Sequence, residues 1–330
     1  MARIALRNPY FFTRTIGVAS GAVSVKLTIT IDTVLRYTLT KSVTAGSPTV
    51  FEVSELCRDY LTIDYDGTPT AGDTEIDIDL AMTFYNAAGS EITTFTESGN
   101  KGFNAYGYFD EGANWEPPFP LSSAASWLIA PKLGVNNDWE IFVPENKSGY
   151  LPYILNGTVA YQSYSGTDTS VTIGVGVTCT ITRTPCSKYD PQRITFVNKY
   201  GQFQDLWFLL KKVLTTSTTK EEYQGINLTS SGSATTYNVS IPTKVVYNKS
   251  ATERISLNSG YYPEGYNAVF EQLLESEQVW IQFLNRVGQT QYLPVNVMTS
   301  SFVKKTKLND KLIDYTIEFS EAYDKINNIR

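Results

Sequence analysis

The chain has 330 residues, a length that gives room for two or three domains. Its formal net charge is −6, so the overall charge does not suggest a nucleic-acid-binding protein. It contains no histidine, which removes the usual general base, the commonest transition-metal ligand and both the Ser-His-Asp and Cys-His catalytic sets. Aromatic residues reach 13%, with 22 Tyr and 16 Phe, and this enrichment with few charges favours strands over helices.

Residues 1–14 are basic, contain Pro9 and lack the continuous apolar run of a signal peptide, so we expect no secretory signal. Two interpretations of this segment stay open: an edge strand of its own domain, or an extended arm that packs on a neighbouring subunit. The arm interpretation predicts that residues 1–14 are mobile in an isolated monomer. It also predicts a set of subunit contacts, namely Arg3, Arg7, Tyr10, Phe11 and Phe12.

Alternation of apolar and polar residues predicts a series of strands in the first third of the chain. A tight turn at Asp32-Thr33 separates two of them, and Ser54 caps a short helix predicted over residues 55–61. Asp77 and Asp79 share the solvent face of another strand, an interpretation we favour over a catalytic carboxylate pair or a calcium site. The predicted strands are residues 22–31, 34–39, 50–53 and 75–80. Because the first of these alternates and contains Lys26, we expect a strand there and no membrane span.

Residues 99–155 are aromatic and irregular, and the sequence WEPPFP at 115–120 must be extended, because each Pro fixes φ and restricts the residue before it. We interpret this region as a long loop that packs over a sheet or on a partner. It adds Trp115 and Phe119 to the predicted subunit contacts.

The stretch from Pro185 to Pro191 has no periodicity and predicts a domain boundary. The chain then divides into an N-terminal extended arm (1–14), a β-sandwich domain that includes the aromatic loop region (15–186) and a second β domain (187–330). In the second domain we expect a turn or flexible hairpin tip at 214–222, one packed helix at 263–276 and a C-terminal hairpin turning at Asn309-Asp310. The predicted fold is therefore mainly β, with two sandwich-like or barrel-like domains and short flanking helices at 55–61 and 263–276.

The motif Phe-x-Asn-x-x-Gly occurs three times between apolar runs, with its Asn-x-x-Gly part at 86–89, 198–201 and 285–288. Asn favours the start of a turn, and Gly supplies the positive φ that closes a type I turn with a bulge. The motif predicts three hairpin turns, with Gly89, Gly201 and Gly288 as the turn glycines.

The three cysteines, Cys57, Cys179 and Cys186, are odd in number and have no C-x-x-C spacing. We expect them to be reduced and not to form a disulfide scaffold. Without histidine they also cannot complete a four-ligand Cys/His zinc site, so the sequence predicts no metal site and no cofactor.

Four stretches share a pattern with a known group of proteins: residues 50–56 with 58–61, 194–201, 253–260 and 308–319. In these stretches the chain resembles structural proteins of the neck and tail of tailed bacteriophages, especially crAss-like and other phages that infect Bacteroidetes. The resemblance covers the second half well and the first half thinly. It implies a virion protein that assembles in rings around the tail or neck, and it carries no catalytic residues to transfer.

The leading hypothesis is therefore a structural virion protein, part of an oligomeric ring in a phage tail or neck, that acts by subunit packing and is no enzyme. We expect its partners to be copies of itself and other virion proteins, with no small-molecule substrate and with DNA only as passing cargo. It would be made in the cytoplasm of the bacterial host and located in the virion.

Two other functions stay open at this point. One is a β-sandwich carbohydrate- or peptide-binding module, adhesin-like, that uses Trp115, Trp127 and Trp139. The other is a glycan-degrading enzyme, which needs two carboxylates and no histidine. The candidates for that role are Glu111, Glu116 and Glu140, but no motif places any two of them together.

Overall fold

The computed structural model describes residues 2–118, 127–128, 138–155, 158–174, 176–185, 188–285, 287–301, 303–305 and 312–325. The fold is mainly β, with several sheets and few, short helices, as the composition and alternation predict. Asp32 and Thr33 both have positive φ and form the tight turn predicted between two of the strands.

The first part of the chain forms a five-stranded sheet with a smaller layer packed on one face. The sheet has the order β1-β7-β6-β3-β4, β2 pairs with β5 in the second layer, and only β1 runs parallel to its neighbour. Strict alternation in β3 buries every second side chain in the core between the layers, which α1 completes. The elements are β1 (Arg3–Ala5), β2 (Phe11–Thr15), β3 (Ala22–Ile31), β4 (Val34–Ser42), β5 (Pro48–Glu52), α1 (Ser54–Arg58), β6 (Glu75–Asn86) and β7 (Glu91–Phe103).

The middle of the chain contributes two three-stranded sheets, with the orders β11-β10-β8 and β12-β13-β9. Their strands are β8 (Trp127–Leu128), β9 (Glu140–Pro144), β10 (Gly149–Leu155), β11 (Thr158–Tyr164), β12 (Ser170–Ile173) and β13 (Val177–Thr184).

The last part forms a seven-stranded sheet in the order β15-β14-β21-β22-β24-β19-β16, with α2 packed against it. The lysine that begins β16, Lys212, donates to Gln192 Oε1 at the start of β14 (3.0 Å), although four strands separate β14 from β16 in that order. The sheet therefore curls strongly. Outside this sheet, β17 pairs with β18 and β20 pairs with β23. The elements of this part of the chain are β14 (Gln192–Val197), β15 (Phe203–Phe208), β16 (Lys212–Gln224), β17 (Leu228–Ser231), β18 (Ala234–Tyr237), β19 (Lys244–Asn258), β20 (Tyr262–Pro263), α2 (Asn267–Glu275), β21 (Val279–Leu284), β22 (Thr290–Val297), β23 (Leu312–Ile313) and β24 (Thr316–Glu321).

The hydrophobic cores do not divide at residue 186, where the sequence predicts a domain boundary. Most buried side chains between Leu128 and Ile181 form one continuous cluster with most of those between Ile194 and Phe319, so the middle strands share the core of the seven-stranded sheet. Ile154 and Val159 instead join the cluster around Phe103. The prolines at 185 and 191 mark a surface connection, and a connection of this kind does not require a break in the core beneath it.

The segment predicted as an arm lies within the core of its own chain. Strand β1 pairs with β7 and β2 with β5, and Ile4, Leu6 and Phe12 are at most 1% exposed. The structure thus favours the alternative in which residues 1–14 belong to their own domain.

Three further details differ from the expectations. The first helix begins at Ser54 and ends at Arg58, three residues before the predicted end. The Leu61 N–H then donates to the Arg58 carbonyl, a bond over three residues that is typical of a 3₁₀ turn. The second begins with a 3₁₀ turn at Glu264–Tyr266 and continues as α2. The C-terminal hairpin is not seen in the described residues: β24 pairs with β19 and β22, and 303–305 is not a strand. The predicted turn at Asn309-Asp310 lies outside the described residues.

Candidate functional site

Among the described residues, two paired strands form a long projection with an exposed surface. Strand β16 pairs along its whole length with β19, whereas β24 pairs only with Arg254–Asn258 of β19. Beyond that point the two strands continue together and carry a tip that contains the β17–β18 pair. We call residues 212–258 the ribbon. With 13 residues in β16, it extends roughly 40 Å at about 3.3 Å per residue.

The ribbon exposes apolar side chains along both strands and at its tip. All thirteen residues of β16 are exposed, and a two-stranded hairpin alone is at best marginally stable in water. A long exposed strand that carries apolar residues is a template for pairing with another chain. The exposed apolar residues are Val213, Leu214, Tyr223, Ile226, Leu228, Tyr237, Val239, Ile241, Val246 and Tyr247.

The sequence predicts a flexible tip at 214–222, and this prediction is wrong: the residues form the centre of β16. Threonine and serine dominate from Thr215 to Thr219, and the absence of apolar alternation hides the strand. The β-branched threonines were the available signal, because they favour extended backbone wherever the strand lies.

The residues predicted as N-terminal subunit contacts are mostly engaged within their own chain. Arg3, Tyr10 and Phe12 are buried. Arg7 donates two bonds to the Glu275 carbonyl at 3.2 Å and lies 3.3 Å from the Glu277 carboxylate. Of these five residues, Phe11 is the exposed one, with 37% of its surface accessible to solvent.

The two predicted contacts in the aromatic loop have different outcomes. Trp115 is half-buried and packs against the cluster around Phe103. The centre of its ring lies 5.1 Å from the ammonium nitrogen of Lys199. That ammonium is held by a 2.7 Å contact to Glu111. Phe119 lies outside the described residues, so its predicted role stays a prediction.

The three Asn-x-x-Gly turns form with the same geometry. In each, the Gly N–H donates to the Asn carbonyl at 2.9–3.0 Å, and the Asn Oδ1 accepts two further backbone N–H groups. The glycines have φ of +78° (Gly89), +77° (Gly201) and +80° (Gly288). Gly201 differs in packing closely on the first part of the chain: an added Cβ would lie 3.0 Å from Phe103 Cβ.

The residues of the two alternative functions are not gathered at one place. Trp115 packs on the cluster around Phe103, whereas Trp139 packs on the large core of the seven-stranded sheet. The side chain of Trp127 lies outside the description. The candidate carboxylates have separate partners: Glu111 with Lys199, Glu116 with the Arg3 N–H (3.4 Å) and Glu140 with the Thr182 hydroxyl (2.6 Å).

Buried charge is concentrated at Arg193 and Asp205, on the paired strands β14 and β15. Arg193 Nη2 lies 2.8 Å from Asp205 Oδ2 and donates to the Tyr65 hydroxyl at 2.7 Å, while Thr195 donates to Asp205 Oδ1 at 2.6 Å. Burial disfavours the charged guanidinium, but the Asp205 carboxylate outweighs it and raises the pKa of Arg193. Burial raises the pKa of the Tyr65 hydroxyl, and the negative charge of Asp205 raises it further. Both groups stay protonated at neutral pH, which suits a structural link better than proton transfer.

A cleft of about 610 Å³ lies beside this ion pair, at the root of the ribbon. Its lining residues include Arg193 and Trp207, together with Lys212 and Leu214 of β16. The buried Nε of Arg193 has no hydrogen-bond partner among the described residues. Both polar and apolar side chains therefore line the cleft.

Cys57 and Cys179 are free and buried, and burial raises the pKa of each thiol to about 12. Cys186 lies outside the described residues. In the part of the chain that the structure covers, no three His, Cys, Asp or Glu side chains are grouped as metal ligands. The described residues also contain no helix of the length and apolarity needed to cross a membrane.

Comparison with known proteins finds no protein-family model that matches the sequence and no curated protein with significant similarity to it.

Proposed function

We propose that the chain is a structural component of an oligomeric ring in a bacteriophage tail or neck and that it acts by subunit packing and not by catalysis. The observation that carries the proposal is the ribbon, which leaves apolar side chains and unpaired strand edges in water. Ile255 and Leu257 at the base of the ribbon are buried in the large core. The outer part, beyond the Thr215–Arg254 pair, has no hydrophobic core to cover in a monomer and gains no stability there. A neighbouring subunit would supply the missing contacts.

The resemblance of four stretches to phage neck and tail proteins supports the same function independently of the ribbon. One of them, residues 253–260, begins on the inner part of β19 and ends at the base of the ribbon. Its partners in this proposal are copies of the chain and other virion proteins. Multivalent packing around a ring would add many weak contacts into a stable assembly.

Sedimentation velocity across a range of protein concentrations tests the proposal. We expect the full chain to form closed oligomers, and a ribbon variant with Tyr223→Ser, Ile226→Ser and Tyr247→Ser to sediment as a monomer or with much weaker association. The matched control carries Val18→Ser, Phe109→Ser and Val287→Ser, three exposed apolar residues outside the ribbon. A full chain that stays monomeric at high concentration, alone and with candidate virion partners, would contradict the proposal.

A further inference from the structure

In each of the two largest sheets, one edge strand is mostly buried and the other is mostly exposed. This difference suggests how neighbouring copies join. The five-stranded sheet ends in β1 and β4, and the seven-stranded sheet ends in β15 and β16. Strand β1 is buried throughout, and β15 is buried at four of its six positions. Strands β4 and β16 are mostly or fully exposed. Each large sheet thus has one covered edge and one open edge.

The two open edges are long and only partly protected. Each carries at least one lysine. The pairing of each has a single irregularity, opposite Tyr37 and Leu35 in β4 and between Glu221 and Glu222 in β16. Strand β4 has 9 residues and β16 has 13, whereas exposed edge strands are commonly kept short or interrupted by proline. Neither strand contains proline. Among the described residues, the backbone of β4 pairs only with β3, and that of β16 only with β19. Both strands therefore keep a row of unused N–H and C=O groups along one side.

The charges on these strands favour a pairing between different edges. Strand β4 carries Arg36 and Lys41 and no acidic residue, so two β4 edges would bring like charges together. Strand β16 carries Glu221 and Glu222 in its outer half, together with Lys212 and Lys220. Lys220 contacts Glu222 within the strand, and Glu221 accepts from Asn248, so the charges of β16 balance. Pairing the basic β4 with β16 therefore avoids the repulsion that two β4 edges would meet.

We propose that β16 of one copy adds to the open edge of β4 in the next copy, so that the ribbon continues the neighbour's five-stranded sheet. Backbone hydrogen bonds provide the affinity in such strand addition, and side chains fix the partner. Two different edges make a head-to-tail contact, which closes into a ring when the rotation between copies allows it. The inference rests on the proposed ring function and specifies the surface that the ribbon occupies.

The register identifies which backbone groups face the open side of β4. Val43 N–H donates to the Val23 carbonyl at 2.9 Å, and hydrogen-bonded positions alternate along an antiparallel pair. Residues 41 and 39, two and four positions before Val43, therefore form their backbone hydrogen bonds with β3. The N–H groups of Thr40 and Thr38 point to the opposite side, away from β3.

The same reasoning applies to β16. The Ala251 carbonyl accepts from Lys325 N–H at 2.8 Å, so it points away from β16. Its cross-strand partner is Thr218, which must then also face outward. Thr38 and Thr218 are both exposed and do not use their N–H groups within the described part of the chain.

Proline at these two positions tests the proposal, because it removes an outward N–H and adds a ring that blocks a new strand while leaving the existing pairs intact. We expect Thr38→Pro and Thr218→Pro each to weaken self-association by about tenfold or more, through the lost hydrogen bond and the clash. The controls Thr38→Val and Thr218→Val keep the N–H and should assemble like the wild type. Circular dichroism verifies that all four variants are folded.

Mixing the two proline variants separates head-to-tail pairing from symmetric pairing. Each variant retains one intact edge, so the mixture should form one-to-one pairs that do not grow, as measured by mass photometry. Wild-type rings that persist in both proline variants would overturn the β4–β16 pairing and leave the ring function standing. Loss of assembly in only one variant would also overturn it, because a head-to-tail contact needs both edges. A monomeric wild type would overturn both proposals.

Discussion

Gly201 and Gly288 occupy equivalent turns in different surroundings, which makes them a matched pair. Alanine at either position must adopt a left-handed φ, at a cost of about 1 kcal/mol. At Gly201 the new Cβ would also lie 3.1 Å from the backbone nitrogens of Asn104 and Ala105, whereas at Gly288 it would meet open space. We expect Gly201→Ala to lower the free energy of unfolding by about 1 kcal/mol more than Gly288→Ala. Equal effects in urea denaturation would show that the Gly201 turn does not pack on residues 103–105.

The buried Arg193–Asp205 pair gives a second prediction at this scale. Asp205→Ala leaves a buried guanidinium without its carboxylate, and we expect a loss of about 3–5 kcal/mol in the free energy of unfolding. Replacing both residues by Leu should recover much of that loss, since no charge is then left unpaired. The surface pair Lys147–Asp190 is the control: Asp190 is 87% exposed, and Asp190→Ala should cost less than about 1 kcal/mol. A similar small loss for Asp205→Ala would mean that the pair is solvated.

The sequence predicts the turns but not the ion pair, and the reason is the range of the interactions. Asn198 and Gly201 close their turn with bonds to backbone groups up to four residues away, so a local motif contains all of that information. Arg193 and Asp205 lie on the two strands that this turn joins, but their buried neighbour Tyr65 lies 128 residues from Arg193 along the chain. A short motif cannot indicate such a contact.

At the scale of elements, β1 and β2 change the expectation for the N-terminus. Because both strands are paired and their inward side chains are buried, we expect slow amide hydrogen exchange at residues 3–5 and 11–15 even in a dilute monomer. Outward amides of the ribbon, such as that of Thr218, should exchange quickly in the monomer and become protected on assembly. Fast exchange at both N-terminal strands would instead restore the mobile-arm interpretation.

Strands β3 and β16 show which strands an alternating pattern of apolar residues can and cannot predict. Strand β3 has one buried face, so its alternating apolar residues identify it correctly. The exposed strand β16 has no buried face to impose a pattern, and its Thr-rich centre reads as a loop. The core does not divide at the predicted boundary at residue 186 for a related reason. The two prolines describe only the local backbone, whereas the shared core depends on contacts among residues spread from Leu128 to Phe319.

At the scale of the whole molecule, the two parts of the chain contribute opposite halves of one proposed contact. The first part offers the open edge of β4, and the second part offers the ribbon. A closed ring of such contacts would leave neither edge exposed, which explains how a chain with two long uncovered strands avoids uncontrolled pairing. The sequence gives no indication of this arrangement, because it arises only when the sheet orders are known.

Electron microscopy of the assembled full chain tests the ring function most directly. The account predicts closed rings in which each ribbon lies against the neighbouring copy and contacts its first sheet. Monodisperse single copies, or rings whose ribbons project into solvent without touching a neighbour, would contradict it.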